Sequence, residues 1–190
     1  MEQDDNIVSF DDELLILVDE QDNELGWETK EKCHNGKGIL HRAFSIFIFN
    51  EKNELLLQKR SGSKRLWPLF WSNTCCSHPR KGETYEIASI RRLKEELGIN
   101  TKLYYIFQFQ YEADFKDKGA ENELCSVYIG KTNQRPEINE NEIAEWQYIK
   151  PEELDNKIQQ QPERFTPWFK MEWQRIRSEF WKRVEALLVQ

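Results

Sequence analysis

The chain has 190 residues, of which 32% are charged, and 34 acidic against 27 basic side chains give a net charge of −7. This length predicts a single domain, 1–190, that is large enough to bury a core. A mean hydropathy of −0.81 and no apolar run near the roughly 20 residues that span a bilayer argue against a membrane protein, and the acidic balance argues against a nucleic-acid partner.

The N-terminal residues 1–12 are acidic, and we expect them to form a flexible or peripheral segment. They lack the basic and apolar stretches of a secretory signal and the arginine-rich composition of a transit peptide, so we expect a cytoplasmic protein. The cysteines agree with that compartment, because two of the four are adjacent and no Cys-x-x-Cys occurs. Reduced thiols are therefore expected, and we favour a monomer.

Apolar patterning in the first half of the chain predicts strands and one long loop. Residues 14–18 form a short apolar run before a turn, which predicts a strand that enters a hairpin. Residues 43–49 are apolar on both parities, which predicts a strand covered on both faces and paired as a hairpin with 55–58. The segment 61–82 is rich in Gly, Ser and Pro yet carries three bulky aromatic residues, which predicts an ordered functional loop.

Helical spacing appears next, over residues 84–96, and Gly98 supplies a stop signal. The apolar positions of this predicted helix are Ile87, Ile90, Leu93 and Leu97.

The remaining elements are a second hairpin (103–111 with 123–129), a strand (146–149), a short helix from Pro151 and a long amphipathic helix from Pro167. The aromatic stripe of this last helix is expected to be core. The fold class predicted is therefore α/β (α+β), with a mixed sheet flanked by helices and a long C-terminal helix.

The three histidines of the chain could share a metal ion. His34 and His41 lie on either side of the Gly-rich stretch 35–38, and His78 follows Cys76 at a distance of two residues. Imidazole is a versatile metal ligand. Because no standard zinc pattern is present, the spacing also allows three unrelated histidines.

Two further features carry possible chemistry. Glu121 and Glu123 are two apart on a predicted strand, so both carboxylates share a face and could converge on a cation or a substrate. The alternative is an acidic hairpin edge that faces water. Cys76 could act as a nucleophile or as a general acid or base, because imidazole or a metal shifts a thiol pKa. The alternative is a buried, inert cysteine.

Basic side chains gather around the loop and the predicted helix of this acidic protein. They could bind a phosphate or a diphosphate, for which Arg offers forked hydrogen bonds. The alternatives are ordinary surface charge and, for Arg92 with Glu96, an i,i+4 pair. The cluster consists of Arg60, Lys64, Arg65, Lys81, Arg91 and Arg92.

Taken together, these segments resemble the type 1 isopentenyl diphosphate isomerases, a branch of the Nudix-fold superfamily. The resemblance runs from about Leu14 to the C-terminal helix, and the combination in this order is specific. Its segments are His34-x6-His41-Arg-Ala-Phe, Lys64-Arg-Leu-Trp-Pro-Leu-Phe-Trp71, Asn73-Thr-Cys-Cys-Ser-His-Pro79, Gly82-Glu83, Arg91-Arg92-Leu-Lys-Glu-Glu96-Leu-Gly98, Glu121-Asn-Glu123-Leu-Cys125 and Thr166-Pro-Trp168. It implies a Nudix-like mixed sheet sandwiched between helices.

The resemblance also implies an activity: conversion of isopentenyl diphosphate to dimethylallyl diphosphate, by protonation and deprotonation through a tertiary carbocation. Cys76 and Glu123 match the catalytic residues, and Tyr111 matches a tyrosine beside the active glutamate. One divalent metal, zinc, manganese or magnesium, is implied. Its matched ligands are His34, His41, His78, Glu121 and Glu123.

A second cation, Mg²⁺, is implied by the match of Glu96, together with the backbone carbonyl of Cys76, and it would accompany the substrate diphosphate. Trp168 matches an aromatic residue that faces the isoprenyl group. The matched diphosphate-binding side chains are Lys30, Arg60, Lys64 and Arg92.

Two positions depart from the hydrolytic Nudix pattern. Arg92 stands where the first glutamate of the hydrolase metal cluster belongs, and Ser77 stands where a glycine opens the motif. The loss of that glutamate argues against hydrolysis. A Nudix-type hydrolase of a diphosphate substrate is the alternative function, and a non-catalytic metal-binding module is the third.

Overall fold

Strands and helices are mixed along residues 7–189, which are the residues that the computed structural model describes. A π-helical turn, Ile176–Phe180, joins the last two helices, so the predicted C-terminal helix is present but not uniformly α-helical. In chain order the elements are β1 Leu14–Val18, β2 Glu24–Thr29, α1 Lys30–Cys33, β3 His41–Phe49, β4 Leu55–Arg60, β5 Trp71–Ser72, β6 Cys75–Ser77, α2 Tyr85–Leu97, β7 Leu103–Asp114, β8 Ala120–Lys131, β9 Ile143–Ile149, α3 Pro151–Gln160, α4 Pro167–Arg175 and α5 Trp181–Leu188.

The sheet is mixed and is built around β3. This strand pairs in parallel with β8 along its whole length, and β8 pairs with β7 in the second predicted hairpin. The other predicted hairpin is only partly correct, because β3 and β4 pair only at Phe49 and Leu55. The short strand β6 pairs with β3 at residues 44–46 instead. The loop segment 61–82 therefore contributes strands to the sheet.

Alternate side chains of β3 pack against helices on opposite faces of the sheet. Ile46 packs in a cluster with Leu93 of α2. On the other face, the Phe47 ring centroid lies 5.9 Å from that of Phe169 on α4. The prediction that β3 is covered on both faces is confirmed, and so is the prediction of a mixed sheet between helices.

Helix α2 has the predicted ends but a different buried face. The Thr84 hydroxyl caps it by accepting from the Ile87 N–H at 3.2 Å, and Gly98 ends it at φ 66°. Ile87 and Ile90 are 56% and 40% exposed, so the predicted apolar stripe is partly wrong. The buried positions are Ala88, Ser89, Arg92, Leu93, Glu96 and Leu97. The helix thus directs a charged pair inward.

The N-terminal segment 1–12 is described only from residue 7, and residues 1–6 lie outside the described residues. The Val8 carbonyl accepts hydrogen bonds from Arg80 at 3.0 Å and from Arg92 at 2.7 Å. The Asp11 carbonyl accepts from the Glu31 N–H at 3.0 Å. This part of the segment therefore contacts the body of the fold rather than standing apart from it.

All four cysteines are free, in keeping with the expected thiols. Among residues 7–189, no helix combines the length and the apolar character needed to cross a bilayer.

Candidate active site

The predicted metal ligands meet where β3 and β8 begin. The parallel register places His41 of β3 beside Glu123 of β8, and Glu121, two residues earlier, shares the face of Glu123. His34 follows α1, and His78 follows β6. One ligand atom from each of the five residues lies within 4.8 Å of the others. Neither the unrelated-histidine alternative nor the water-facing acidic edge describes this arrangement.

A close backbone approach holds His34 against the start of β8. The Ala120 N–H donates to the His34 carbonyl at 3.1 Å. At the preceding residue, Gly119, φ is 140°, and a Cβ there would lie 2.2 Å from the same carbonyl oxygen. Only glycine fits at this position, because a side chain would push His34 away from Glu121.

The hydrogen bonds of two histidines turn their Nε2 atoms into the cluster. Nδ1 of His34 lies 2.7 Å from the Lys30 carbonyl, and Nδ1 of His41 lies 2.7 Å from the Ile39 carbonyl. A carbonyl only accepts, so each Nδ1 carries a proton. Burial, with the nearby charge of His34, lowers the pKa of His41 to about 3, so the neutral His41 ring presents Nε2 as a lone pair. The buried Nε2 of His41 has no hydrogen-bond partner.

Both of these Nε2 atoms face carboxylate oxygens. Nε2 of His34 is 2.9 Å from Oε2 of Glu121, and Nε2 of His41 is 3.7 Å from Oε1 of Glu123. A nitrogen lone pair and a carboxylate oxygen repel each other unless a proton or a metal ion lies between them. Burial disfavours the proton on His34, but the Glu121 carboxylate outweighs burial and raises the pKa of His34. The neutral His41 leaves its lone pair for a metal ion. Imidazole nitrogen and carboxylate oxygen are ligands that suit zinc and manganese. The cluster could therefore hold a divalent metal ion.

Glu123 also has contacts outside the histidine pairs described above. Its Oε2 accepts from the Tyr111 hydroxyl at 2.5 Å, and its Oε1 lies 2.8 Å from Nε2 of His78. Burial, followed by the neighbouring Glu121 carboxylate, raises the pKa of Glu123 well above its usual range. Burial alone would also raise the pKa of Glu121, but the adjacent His34 holds it at about 2. The two carboxylates thus occupy different electrostatic environments.

Cys76 faces the same cavity as these ligands, whereas its neighbour does not. Arg60 Nη1 lies 3.9 Å from the Cys76 sulfur. Burial raises the pKa of the Cys76 thiol to about 12 despite the opposing charge of Arg60, so the sulfur carries a proton. Cys75 is fully buried in the cluster under α2, because successive strand residues point to opposite faces. Cys76 therefore lies in the wall of the cavity and Cys75 does not.

A cavity of about 420 Å³ connects these groups. His41 is fully buried behind its wall, and Glu96 lies on the inner side of Arg92, whose Nη2 is 2.7 Å from Glu96 Oε1. The predicted site residues that line the cavity are Lys30, His34, Arg60, Lys64, Cys76, His78, Arg92, Tyr111, Glu121, Glu123 and Trp168.

Comparison with known proteins identifies the family. A NUDIX domain model matches residues 39–169. Isopentenyl-diphosphate Delta-isomerase 1 of Photorhabdus laumondii is 44% identical over 163 residues, which cover 85% of this chain and 93% of that protein. The isopentenyl-diphosphate delta-isomerase of Schizosaccharomyces pombe is 36% identical over 196 residues, covering 92% and 86%. The chain belongs to the isopentenyl-diphosphate Delta-isomerase family.

Solved structures support the Nudix fold of this isomerase. A protein of Deinococcus radiodurans, DR0079, superposes with a TM-score of 0.65 at 25% identity, covering 78% of this chain and 90% of that chain. A MutT protein of Methanosarcina mazei superposes with a TM-score of 0.60 at 19% identity, covering 74% and 94%, and shows the fold alone. The resemblance inferred from the sequence and the isomerase activity it implied are both confirmed.

Trp168 of α4 lines the isomerase cavity and contacts residues of the aromatic loop 61–82. The indole N–H of Trp168 donates to Oδ1 of Asn73 at 3.3 Å. Trp67 packs edge-to-face on Trp168, with ring centroids 5.2 Å apart, and the Arg60 guanidinium lies 5.3 Å from the centre of the Trp168 ring. Trp67 has a φ of 46°, which is rare for a bulky residue. The loop is ordered, as predicted.

Three residues around this isomerase site are absent from the predicted site: Asn73, Glu142 and Glu172. Asn73 lies inside a quoted motif, but its contact with Trp168 spans distant parts of the chain. Glu142 lies in an acidic loop with no local signal and reaches Lys64 and Arg92 only through the fold. Glu172 did have a signal, because it lies four residues after Trp168 on the buried stripe of the helix.

Proposed function

We propose that the chain converts isopentenyl diphosphate to dimethylallyl diphosphate, with Cys76 and Glu123 as its acid–base pair. One observation carries this proposal: both side chains line a single cavity that has cationic side chains and Trp168 in its walls. The family assignment supports the reaction, and the cavity supports the residues. The substrate is a small isoprenyl diphosphate.

The proposed chemistry follows from the substrate. An unactivated alkene has no carbonyl to acidify a neighbouring hydrogen, so a proton must first be added to its terminal carbon. The resulting tertiary carbocation then loses a proton from the adjacent methylene. The thiol of Cys76 and the carboxyl of Glu123 supply groups for these two transfers, and the Tyr111 hydroxyl orients Glu123 through its 2.5 Å hydrogen bond.

The walls of the cavity suit a cationic intermediate. Trp168 is proposed to face the isoprenyl group, where its π face would stabilise the carbocation by about 2 kcal/mol or more once water is excluded. The edge-to-face contact with Trp67 holds the indole in place. Water that entered would capture the cation, so the closed aromatic packing protects the reaction.

The diphosphate is proposed to be an anchor rather than a leaving group. Lys30, Arg60, Lys64 and Arg92 line the cavity and would hold its oxygens, which fixes the alkene between acid and base. We extend the proposal to Mg²⁺ bound with the diphosphate by Glu96 and the Cys76 carbonyl. This extension is supported by the sequence match and by the position of Glu96 beside Arg92.

The His34, His41, His78, Glu121 and Glu123 cluster is proposed to hold one divalent metal: zinc, manganese or magnesium. When bound, such an ion supplies positive charge that favours the ionised form of the Glu123 carboxyl. The Nε2 atoms of His34 and His41, which face carboxylate oxygens, and the lack of a hydrogen-bond partner at His41 Nε2 support this assignment.

Removing one of these ligands is expected to weaken metal binding. We expect Glu121→Gln to lower zinc affinity by at least about 10- to 100-fold, which is the loss typical of changes to the hydrogen-bond partners of metal ligands. Here a neutral amide replaces one of two anionic ligands. Competition with a chelator, followed by metal analysis of the protein, measures this affinity without any activity assay. Glu112→Gln, on an exposed position of β7, removes the same charge and should retain wild-type affinity. Equal affinities for all three proteins would contradict the assignment.

The reaction itself is tested with isopentenyl diphosphate, Mg²⁺ and Zn²⁺. We expect dimethylallyl diphosphate to form and no phosphate to be released. Phosphate without an isomerised product would favour the hydrolase alternative. Arg92 argues against that outcome, because a guanidinium stands where the hydrolytic pattern needs a metal-binding carboxylate.

A further inference from the structure

Glu142 is an anionic side chain in the wall of a cavity that is proposed to bind an anion. It lies in the loop before β9, is 4% exposed, and is one of the residues that line the cavity. Its carboxylate contacts Lys64 Nζ and lies 3.1 Å from Nη2 of Arg92. Lys64 and Arg92 are both proposed to bind the diphosphate. Glu142 therefore forms ion pairs with the same two side chains that the substrate would bind.

The backbone around Glu142 fixes its carboxylate between two separate segments. The Ser61 N–H donates to the Glu142 carbonyl at 2.9 Å, and the Ser63 hydroxyl donates to the Asn141 carbonyl at 3.3 Å. The loop of Glu142 is thereby joined to the loop that carries Lys64. Arg92, in contrast, belongs to α2. The Glu142 carboxylate thus links the loop of Lys64 to α2 through ion pairs with Lys64 and Arg92.

The charges in this region need an internal counterion. Burial, and then the positive charge of Lys64, lowers the pKa of Lys30, whereas Glu13 and Glu142 oppose that effect. A carboxylate held among buried cations limits their mutual repulsion. The same carboxylate must also repel a diphosphate that approaches Lys64 and Arg92.

We propose that Glu142 is a positioning residue that competes with the diphosphate for Lys64 and Arg92. In the free protein Glu142 holds the two cationic side chains at a fixed spacing. In the complex it lowers their affinity for the diphosphate. Substrate and product carry the same diphosphate. Without Glu142, Lys64 and Arg92 would therefore bind both of them more tightly, and product release would be slower. This inference rests on the proposed function, which supplies the diphosphate.

The test measures the binding of inorganic diphosphate with Mg²⁺ by calorimetry. Glu142→Gln keeps the shape of the side chain but removes its charge, and we expect Kd to fall about tenfold. With isopentenyl diphosphate, KM and kcat should both fall. Loss of a merely structural contact would instead weaken binding and raise KM.

Two further variants make this test specific. Glu145→Gln removes the same charge from an exposed residue of β9 that pairs with Lys59 at 2.6 Å, and its Kd should equal that of the wild type. Glu142→Asp draws the carboxylate back by one methylene and should tighten binding less than Glu142→Gln does. Thermal melting checks that every variant folds. If Glu142→Gln does not fold, the Kd of Glu142→Asp is compared with that of the wild type instead.

The outcomes separate this inference from the proposed function. If the wild-type protein binds diphosphate and neither Glu142 variant tightens that binding, the role of Glu142 as a competitor is overturned. If the wild-type protein does not bind diphosphate at all, the proposed diphosphate site and this inference fall together. Tighter binding in all variants, including Glu145→Gln, would indicate a general charge effect and would also overturn it.

Discussion

Replacing Cys76 by alanine is expected to lower kcat by about 1000-fold while the fold and the metal content stay unchanged. The thiol lines the cavity, and burial raises the pKa of Cys76 to about 12, so the wild-type side chain carries a proton at neutral pH. Alanine can neither give nor take that proton. Rates of dimethylallyl diphosphate formation, with circular dichroism and metal analysis of the same samples, measure the effect.

Cys75 provides a matched control, since it is the adjacent residue on the same short strand. Its side chain is fully buried on the opposite face, in the cluster under α2. Cys75→Ala should cost about 1 kcal/mol of stability through lost packing and should keep kcat near the wild-type value. A Cys76→Ala protein that turned over as fast as Cys75→Ala would contradict the catalytic assignment.

The second large effect concerns stability, and Glu172→Gln is expected to stabilise the protein at alkaline pH by a few kcal/mol. Glu172 lies on α4 with no solvent exposure. Its Oε1 accepts from the Cys125 thiol at 3.4 Å, but its buried Oε2 has no hydrogen-bond partner. Burial raises the pKa of Glu172 to about 8, although the neighbouring Ser45 and Cys125 side chains oppose that effect.

The sign of the pH dependence follows from this raised pKa. The folded state keeps the Glu172 proton up to about pH 8, whereas the unfolded chain releases it above about pH 4.5. Folding therefore takes up a proton between these values, and the free energy of unfolding falls as pH rises through that window, by roughly 1.4 kcal/mol per pH unit. A glutamine does not titrate, so this loss disappears in the variant.

Urea unfolding of both proteins at about pH 5 and about pH 8 measures this difference. Near pH 5 the two stabilities should be similar, and near pH 8 the variant should be the more stable. Glu179→Gln is the control, because this glutamate is half exposed and pairs with Arg175 one turn away. Its effect should stay below about 1 kcal/mol at either pH. A stability gap between Glu172→Gln and wild type that did not widen with pH would contradict the buried-acid interpretation.

Local patterns predicted the elements whose burial follows from a simple period. Residues 43–49 were expected to be covered on both faces, and they are, because β3 lies between α2 and α4. The partial pairing of β3 with β4 could not be predicted, since the competing partner, β6, is only three residues long. Such a short strand has no period of its own. Its position is held by the Asn73 side-chain amide, which donates to the Ile46 carbonyl at 3.3 Å and to the Cys75 carbonyl at 2.8 Å.

The inward face of α2 shows a second limit of sequence patterns. Apolarity favoured Ile87 and Ile90 as buried positions, yet Arg92 and Glu96 are buried instead. These charged side chains can be buried because they form an ion pair with each other at 2.7 Å. Arg92 forms a second ion pair with Glu142. That third partner comes from a loop about 50 residues away, and only the folded chain brings it near. The motif resemblance identified Arg92 and Glu96, whereas periodicity alone would have left them on the surface.

The parallel alignment of β3 and β8 has a consequence for metal binding. Side chains alternate along both strands, so a slip of one residue would replace Glu123 by Leu124 opposite His41 and turn both glutamates to the other face of the sheet. Four of the nine pairs in this register join two apolar residues, and three of these four lie toward the far end of the strands: Ile46–Tyr128, Phe47–Ile129 and Ile48–Gly130. Metal affinity therefore depends on the register of the whole β3–β8 pair and not only on the five ligands. A change in the apolar interior that shifts this register would lower metal affinity without altering any ligand.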